Sequence, residues 1–196
     1  IAILLNDASF EQDIRELLMA FYPGETFTHK EEEAGEADLI VRGVRDGNSF
    51  SLDVTPVKKE AVHFALIYPD FSNRFETKNE IKQTLYRLLS VQTGRELPWG
   101  TLTGIRPTKI ALTKLYDGWT DEQIETYMRE TYFTSKEKID LSIDVAERER
   151  RLLSTIDYEN GYSLYVGIPF CPTTCLYCSF TSFPIVKWEK RMDLYK

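Results

Sequence analysis

Apolar positions along this 196-residue chain follow two successive periods, first about two and then about 3.6. Ile1 to Leu5 is a continuous apolar run that predicts a short buried strand. Ser9, with Gln12 three residues on, forms a capping box, and Ile14, Leu17, Leu18 and Phe21 then mark one apolar helical face. Pro23-Gly24 stops that helix, and the Glu-rich stretch from Lys30 to Asp38 predicts a solvated loop. Leu39 to Arg45 and Ser49 to Thr55 predict two strands joined at Asp46-Gly47, a hairpin signal. Val62 to Tyr68 predicts a further strand, closed by Pro69.

At Thr77 the period changes. Thr77 with Glu80 predicts the cap of a helix carrying Ile81, Leu85, Leu88 and Leu89 inward and ending near Gly94. Pro107 suits the first turn of a helix running to Asp117, and Gly118 suits its end. Thr120 with Gln123 opens another helix, and Thr134 with Glu137 a long one reaching Ile156, with Ile139, Ile143, Ala146 and Leu153 on its buried face. Asp157 to Gly161 breaks the pattern. Tyr162 to Ile168 then alternates large and apolar residues up to Pro169 and predicts a strand. An opening helix is expected from Val186 to Lys196. The expected organisation is an α+β module over residues 1–156, with short antiparallel strands followed by helices, and a second unit over 157–196.

Composition narrows the function classes. A hydrophobic content of 42% with 13% aromatics suffices for a globular core. The net charge of −7 argues against a dedicated nucleic-acid binder. The apolar start is too short for a membrane span and lacks the basic flank of a signal peptide, so a soluble, cytoplasmic protein is expected. One region runs against the acidic whole: residues 81–116 hold Lys82, Arg87, Arg95, Arg106, Lys109 and Lys114 against Glu96, a local net of +5. The plainer reading is a set of solvated helix faces. The sharper one is an anion site in which Arg106, Lys109 and the N–H groups of the helix opened by Pro107 meet one anion.

The candidate chemistry lies in the cysteines. All three, Cys171, Cys175 and Cys178, fall in the run Cys-Pro-Thr-Thr-Cys-Leu-Tyr-Cys. Three thiolates spaced this way can each hold one iron of a [4Fe–4S] cluster, leaving a fourth iron open to a small chelator. S-adenosylmethionine suits that position through its amino and carboxylate groups. A tetrahedral zinc site needs a fourth ligand, and the two histidines, His29 and His63, stand more than a hundred residues upstream. An odd number of cysteines within eight residues is no disulfide framework, and a Cys–His catalytic pair has no need of three. His63 falls inside a predicted strand and His29 in a polar loop, positions where histidine is an ordinary packed or exposed side chain. The cysteines follow a predicted strand, the end at which parallel α/β barrels build their active sites.

The segment Tyr165-Val-Gly-Ile-Pro-Phe-Cys-Pro-Thr-Thr-Cys-Leu-Tyr-Cys-Ser-Phe180 resembles the first strand and cluster loop of radical S-adenosylmethionine enzymes. More narrowly it is similar to the oxygen-independent coproporphyrinogen III dehydrogenase family. The Gly-Ile-Pro-Phe-Cys variant, with Leu-Pro-Trp-Gly-Thr-Leu-Thr-Gly-Ile-Arg-Pro-Thr-Lys (Leu97 to Lys109), resembles the HemZ branch. The resemblance implies that residues 157–196 begin a radical S-adenosylmethionine α/β barrel of which this chain carries a truncated part. It implies Cys171, Cys175 and Cys178 as iron ligands, Tyr165 near the sulfonium and the backbone at Tyr177 against the adenine. It also implies the activity: one electron from an unidentified donor cleaves the cofactor, and the resulting radical takes hydrogen from a propionate of the tetrapyrrole substrate, which loses carbon dioxide to become vinyl.

Two positions depart from the family pattern. Gly167 stands where the family has His, and Phe180 stands where the dehydrogenases carry a further cysteine, as in relatives that resemble haem-trafficking chaperones. Three functions therefore stay open: a coproporphyrinogen-processing radical enzyme, a haem chaperone of the same family, and a binding or docking role for the 1–156 module.

Overall fold

The structure, a computed structural model, describes residues 1–57, 62–104, 106–157, 160–180 and 182–194, without the side chains of 191 and 192. Ile105 of the Leu97–Lys109 run, residues 158–159 of the expected break and residues 195–196 of the expected last helix lie outside the described residues. The chain divides into two compact units, Ile1–Thr155 and Ile156–Lys196.

The first unit is α+β. Its sheet has the order β1-β2-β3-β4, formed by Ala2–Leu5 (β1), Leu39–Asp46 (β2), Ser49–Pro56 (β3) and His63–Ile67 (β4). β1 lies parallel to β2, and β2, β3 and β4 run antiparallel. The hairpin turn is Gly47-Asn48, with Asp46 opposite Ser49 and Gly47 at φ +55°, the left-handed backbone that glycine adopts without steric cost. The strands' period of two sends Ile3, Val41, Phe50, Leu52 and Val54 to one face, where they bury against Ile14, Leu17, Leu18 and Phe21 of α1 (Glu11–Phe21) and Ile81, Leu85 and Leu89 of α2 (Arg74–Thr93). Ala2 and Leu4 point to the other face and bury with Ala34.

Several helix starts differ from the sequence expectation, each because a nearby side chain caps better. Asp7, not Ser9, accepts the N–H of Ser9 and opens a 3₁₀ turn (Ala8–Phe10) that runs into α1. Asn73 caps α2, accepting from Phe75 and Glu76, so the helix begins before Thr77, whose hydroxyl donates to the Asp70 carbonyl. Ser135, one residue after Thr134, caps α5 (Lys136–Leu153), which stops short of Ile156. The Glu-rich stretch is a 3₁₀ turn over Glu31–Glu36 with Ala34 buried, its Glu31 bonded to Arg42 of β2 at 2.7 and 3.1 Å. The Thr120–Gln123 capping box of α4 (Asp121–Tyr132) is fully formed.

α3 (Thr108–Tyr116), α4 and α5 enclose a second core of Ala111, Leu112, Leu115, Ile124, Met128, Ile139, Ile143 and Ala146. The two cores meet through the Leu97–Gly104 loop. The Thr101 N–H donates to the Tyr132 carbonyl at 2.7 Å, and the Ser135 N–H to the Pro98 carbonyl at 2.9 Å. The Leu97 N–H donates to the Tyr86 hydroxyl at 2.9 Å, and Gln83 of α2 donates to the Thr131 carbonyl at 2.7 Å. Gly100 sits at φ +58°, and a Cβ there would lie 1.9 Å from the Tyr132 carbonyl oxygen. Thr103 links the loop inward: its hydroxyl donates to Glu16 of α1 at 2.8 Å and accepts from the buried Lys82 ammonium of α2 at 2.9 Å.

A side chain at Gly100 collides with backbone, so Gly100→Ala is expected to destabilise the first unit by about 3 kcal/mol or more in urea unfolding. Gly24, at φ +88° with nothing within 4 Å of an added Cβ, serves as control, and Gly24→Ala is expected to cost about 1 kcal/mol. Equal losses in the two variants would remove the close approach as the cause. Lys82 gives a pH signature. Burial lowers its pKa, opposed by Asp13 and Glu16. The unfolded chain therefore holds that proton to higher pH, and stability rises as pH climbs from the lowered folded pKa toward about 10.4. The urea midpoint of the native chain is expected to rise relative to that of Lys82→Met as pH climbs toward about 10.4. Parallel curves would show that the ammonium carries no such penalty.

Candidate functional site

The second unit is built around the cysteines. Phe170–Cys171 (β5) and Phe183–Pro184 (β6) pair in parallel, Phe170 opposite Phe183 and Cys171 opposite Pro184. The Phe183 N–H also donates to the Pro169 carbonyl at 2.7 Å. Pro184 leads directly into α6 (Ile185–Trp188), one helical turn that sets the Trp188 ring 5.9 Å from Phe170 and 5.3 Å from Phe183. The chain between the two short strands is thus a loop with a closed mouth. Cys171 lies in the mouth, with Cys175 and Cys178 within the loop.

Inside it, the Cys178 N–H donates to the Cys175 carbonyl at 3.1 Å, making one tight turn. The Cys178 thiol lies 3.7 Å from the Phe180 carbonyl, to which it donates, and 3.5 Å from the Ser182 hydroxyl. None of the three thiols is in a disulfide; Cys175 is exposed, and Cys171 and Cys178 are half-buried. The donor set therefore fits an iron–sulfur cluster in its chemistry: three unpaired, accessible thiols on one loop. They are not gathered about a common point, since among the described residues no three His, Cys, Asp or Glu side chains are placed to hold a metal ion.

Tyr162 to Ile168 does not form the expected strand. Among the described residues the segment belongs to no strand ladder. Tyr165 and Tyr177 are 82% and 89% exposed, and the site residues the sequence singled out are not packed together. Gly167 has a local reason: a Cβ there would meet the Tyr165 ring at 3.0 Å, so a side chain at 167 displaces that ring. Sequence reasoning passed over Phe183, Trp188 and Ser182. The signal for Phe183 was the recurrence of an adjacent Phe and Pro on either side of the loop, Pro169-Phe170 and Phe183-Pro184.

The basic stretch is largely consumed by the first unit's own structure. Arg87 lies over the Phe133 ring at 4.8 Å, Arg95 donates to the Phe21 carbonyl at 3.0 Å, and Lys114 lies over Trp119 at 4.2 Å and Tyr127 at 4.9 Å. Arg106 pairs with Glu149 of α5. The N–H groups of Lys109 and Ile110 donate to the carbonyls of Arg106 and Pro107, and the side chains of both Arg106 and Lys109 are exposed. His63 meets Gln92 at 2.9 Å, and His29 lies 3.4 Å from Glu11. No described helix is long and apolar enough to cross a membrane.

No protein-family model matches the chain, and no solved structure matches it. Among curated proteins it is similar to the oxygen-independent coproporphyrinogen-III oxidase-like protein HemZ of Bacillus subtilis (strain 168). The two are 35% identical over 135 residues, which cover 67% of this chain and 26% of that protein. The chain thus spans about a quarter of the length of that curated relative.

Proposed function

We propose that this HemZ-like chain is part of a radical S-adenosylmethionine oxidoreductase that decarboxylates propionate side chains of coproporphyrinogen III or a close tetrapyrrole. The observation that carries the reading is the Cys171, Cys175 and Cys178 loop, three free thiols with the spacing of a cluster that keeps one iron open. When bound, a [4Fe–4S] cluster and S-adenosylmethionine supply one-electron cleavage of a carbon–sulfur bond and hence hydrogen abstraction from unactivated carbon.

The chain's own residues have simpler tasks. Cys171, Cys175 and Cys178 give up their protons and supply the sulfur donors, and their exposure leaves the loop accessible to assembly. The exposed ring of Tyr165 offers flat apolar surface suited to covering a sulfonium, and the backbone at Tyr177, within the loop, is suited to meeting the adenine. The first unit, with its own two cores, is a separate body whose role is to bind substrate or a partner such as the electron donor. Gly167 and Phe180 favour one second reading, a haem-handling relative that keeps the cysteine loop but does different work.

The test is anaerobic reconstitution of the protein that carries this chain. Wild-type protein is expected to take up iron and sulfide and, once reduced, to yield 5′-deoxyadenosine together with a vinyl-bearing porphyrin product. Cys175→Ala is expected to lose all three. Full cluster content in that variant would end the cysteine assignment. Stable haem binding with neither product would make the chaperone reading correct. Release of 5′-deoxyadenosine with coproporphyrinogen untouched would keep the radical chemistry and refute the substrate.

A further inference from the structure

We infer that Trp188 is a positioning residue: with Phe170 and Phe183 it clamps the mouth of the cysteine loop and holds the thiols within reach of one cluster. The inference rests on the proposed reading of the loop as a cluster site. Its starting point is what holds the mouth among the described residues: the two-residue ladder, the bond from the Phe183 N–H to the Pro169 carbonyl and these three rings. None of its described residues is fully buried, and Leu176, Tyr177 and Phe180 of the loop are exposed. A ladder of two residues a side is below the size at which strand pairing holds itself together. The aromatic trio supplies what the ladder lacks. Trp188 contacts the ring at the start of each strand, 5.9 Å from Phe170 and 5.3 Å from Phe183, and the rings are tilted by 49° and 52°.

The clamp reaches the thiols through bonds and contacts on both sides. Cys171 is itself a member of the ladder, opposite Pro184. On the other arm Phe183 is preceded by Ser182, whose hydroxyl lies 3.5 Å from the Cys178 sulfur. Cys175 is tied to Cys178 by the N–H to carbonyl bond between them. Closing the mouth therefore draws two donors toward each other from opposite ends of the loop and carries the third with them. That lowers the ordering cost of chelation, which for an open loop must be met by the metal alone.

The experiment uses the protein carrying this chain as Trp188→Ala and Trp188→Phe, with two readouts. The first needs no metal: in a Cys175→Ala background, the equilibrium between Cys171–Cys178 dithiol and disulfide in a glutathione buffer gives the effective concentration of one thiol at the other. Trp188→Ala is expected to lower it about ten-fold, and Trp188→Phe to restore it nearly to the native value. The second is the rate at which a chelator strips iron from the reconstituted protein with all three cysteines, expected to rise about ten-fold in Trp188→Ala and little in Trp188→Phe. An unchanged effective concentration overturns the clamp whatever the iron does. A lowered effective concentration with native iron retention overturns the positioning role and leaves the cluster reading standing. A lowered effective concentration in a protein that takes up no iron even as wild type refutes the cluster reading, and the positioning role with it.

Discussion

The first unit depends on one close approach, that of the Gly100 backbone to the last carbonyls of α4. Phe133 ends α4 in the left-handed conformation at φ 57°, unusual for an aromatic residue, and presents the Tyr132 carbonyl to the N–H of Thr101. Phe133's own ring is directed back to the sheet-side core, 5.6 Å from Tyr86, and its face is covered by Arg87. Tyr86 in turn packs edge-on to Phe21 of α1 and accepts the Leu97 N–H. The conformation of Phe133 is thus held by its N–H bond to the Arg129 carbonyl of α4 and by ring contacts from α2, which is the condition under which a strained backbone persists. Without the glycine, the loop stands off from α4 and the helical core loses its register against the sheet.

That joint also explains the positive run in an acidic chain. Residues 81–116 cover the sheet-facing helix, the connecting loop and the first helix of the bundle, where backbone carbonyls and aromatic faces from both cores converge. Arg95 satisfies the Phe21 carbonyl at the end of α1, Arg87 and Lys114 cover aromatic faces, and Lys82 is drawn in among Thr103, Glu16 and Asp13. Lys and Arg do this work better than neutral residues because their long apolar stems pack while their heads donate. Of the six cations Lys82 alone is buried, Lys114 is half-buried, and Arg87, Arg95, Arg106 and Lys109 are exposed, so most of the local charge lies at the surface of this joint.

What the sequence made legible follows from how local each cause is. The buried faces of α1, α2 and α5, the Asp46-Gly47 hairpin and the Thr120–Gln123 cap of α4 all depend on residues within one or two turns of each other, and the pattern of residues carries them. Where two capping residues compete, as Asp7 with Ser9, Asn73 with Thr77 or Ser135 with Thr134, the choice depends on how the preceding chain enters the helix, which spacing does not encode. The Gly100 contact joins residues more than thirty apart, and only the fold reveals it. Tyr162 to Ile168 shows the opposite limit: alternation specifies a surface fit for pairing, but a strand exists only where a partner lies alongside.

The cysteine loop separates donor chemistry from donor placement. Spacing announces which atoms can bind iron, because three thiols within eight residues have few other uses in a chain with no further cysteine. Placement is another matter. Among the described residues the three thiols are not gathered about a common point. The Cys178 thiol donates to the Phe180 carbonyl, and Cys175 is exposed. Gathering the donors must then be coupled to deprotonation and to metal arrival, so that part of the binding energy is spent on ordering the loop. A loop whose ends are already held needs less of that energy. In a unit whose described residues form no buried core, the ends are held by the Phe170–Phe183 pair and the ring of Trp188.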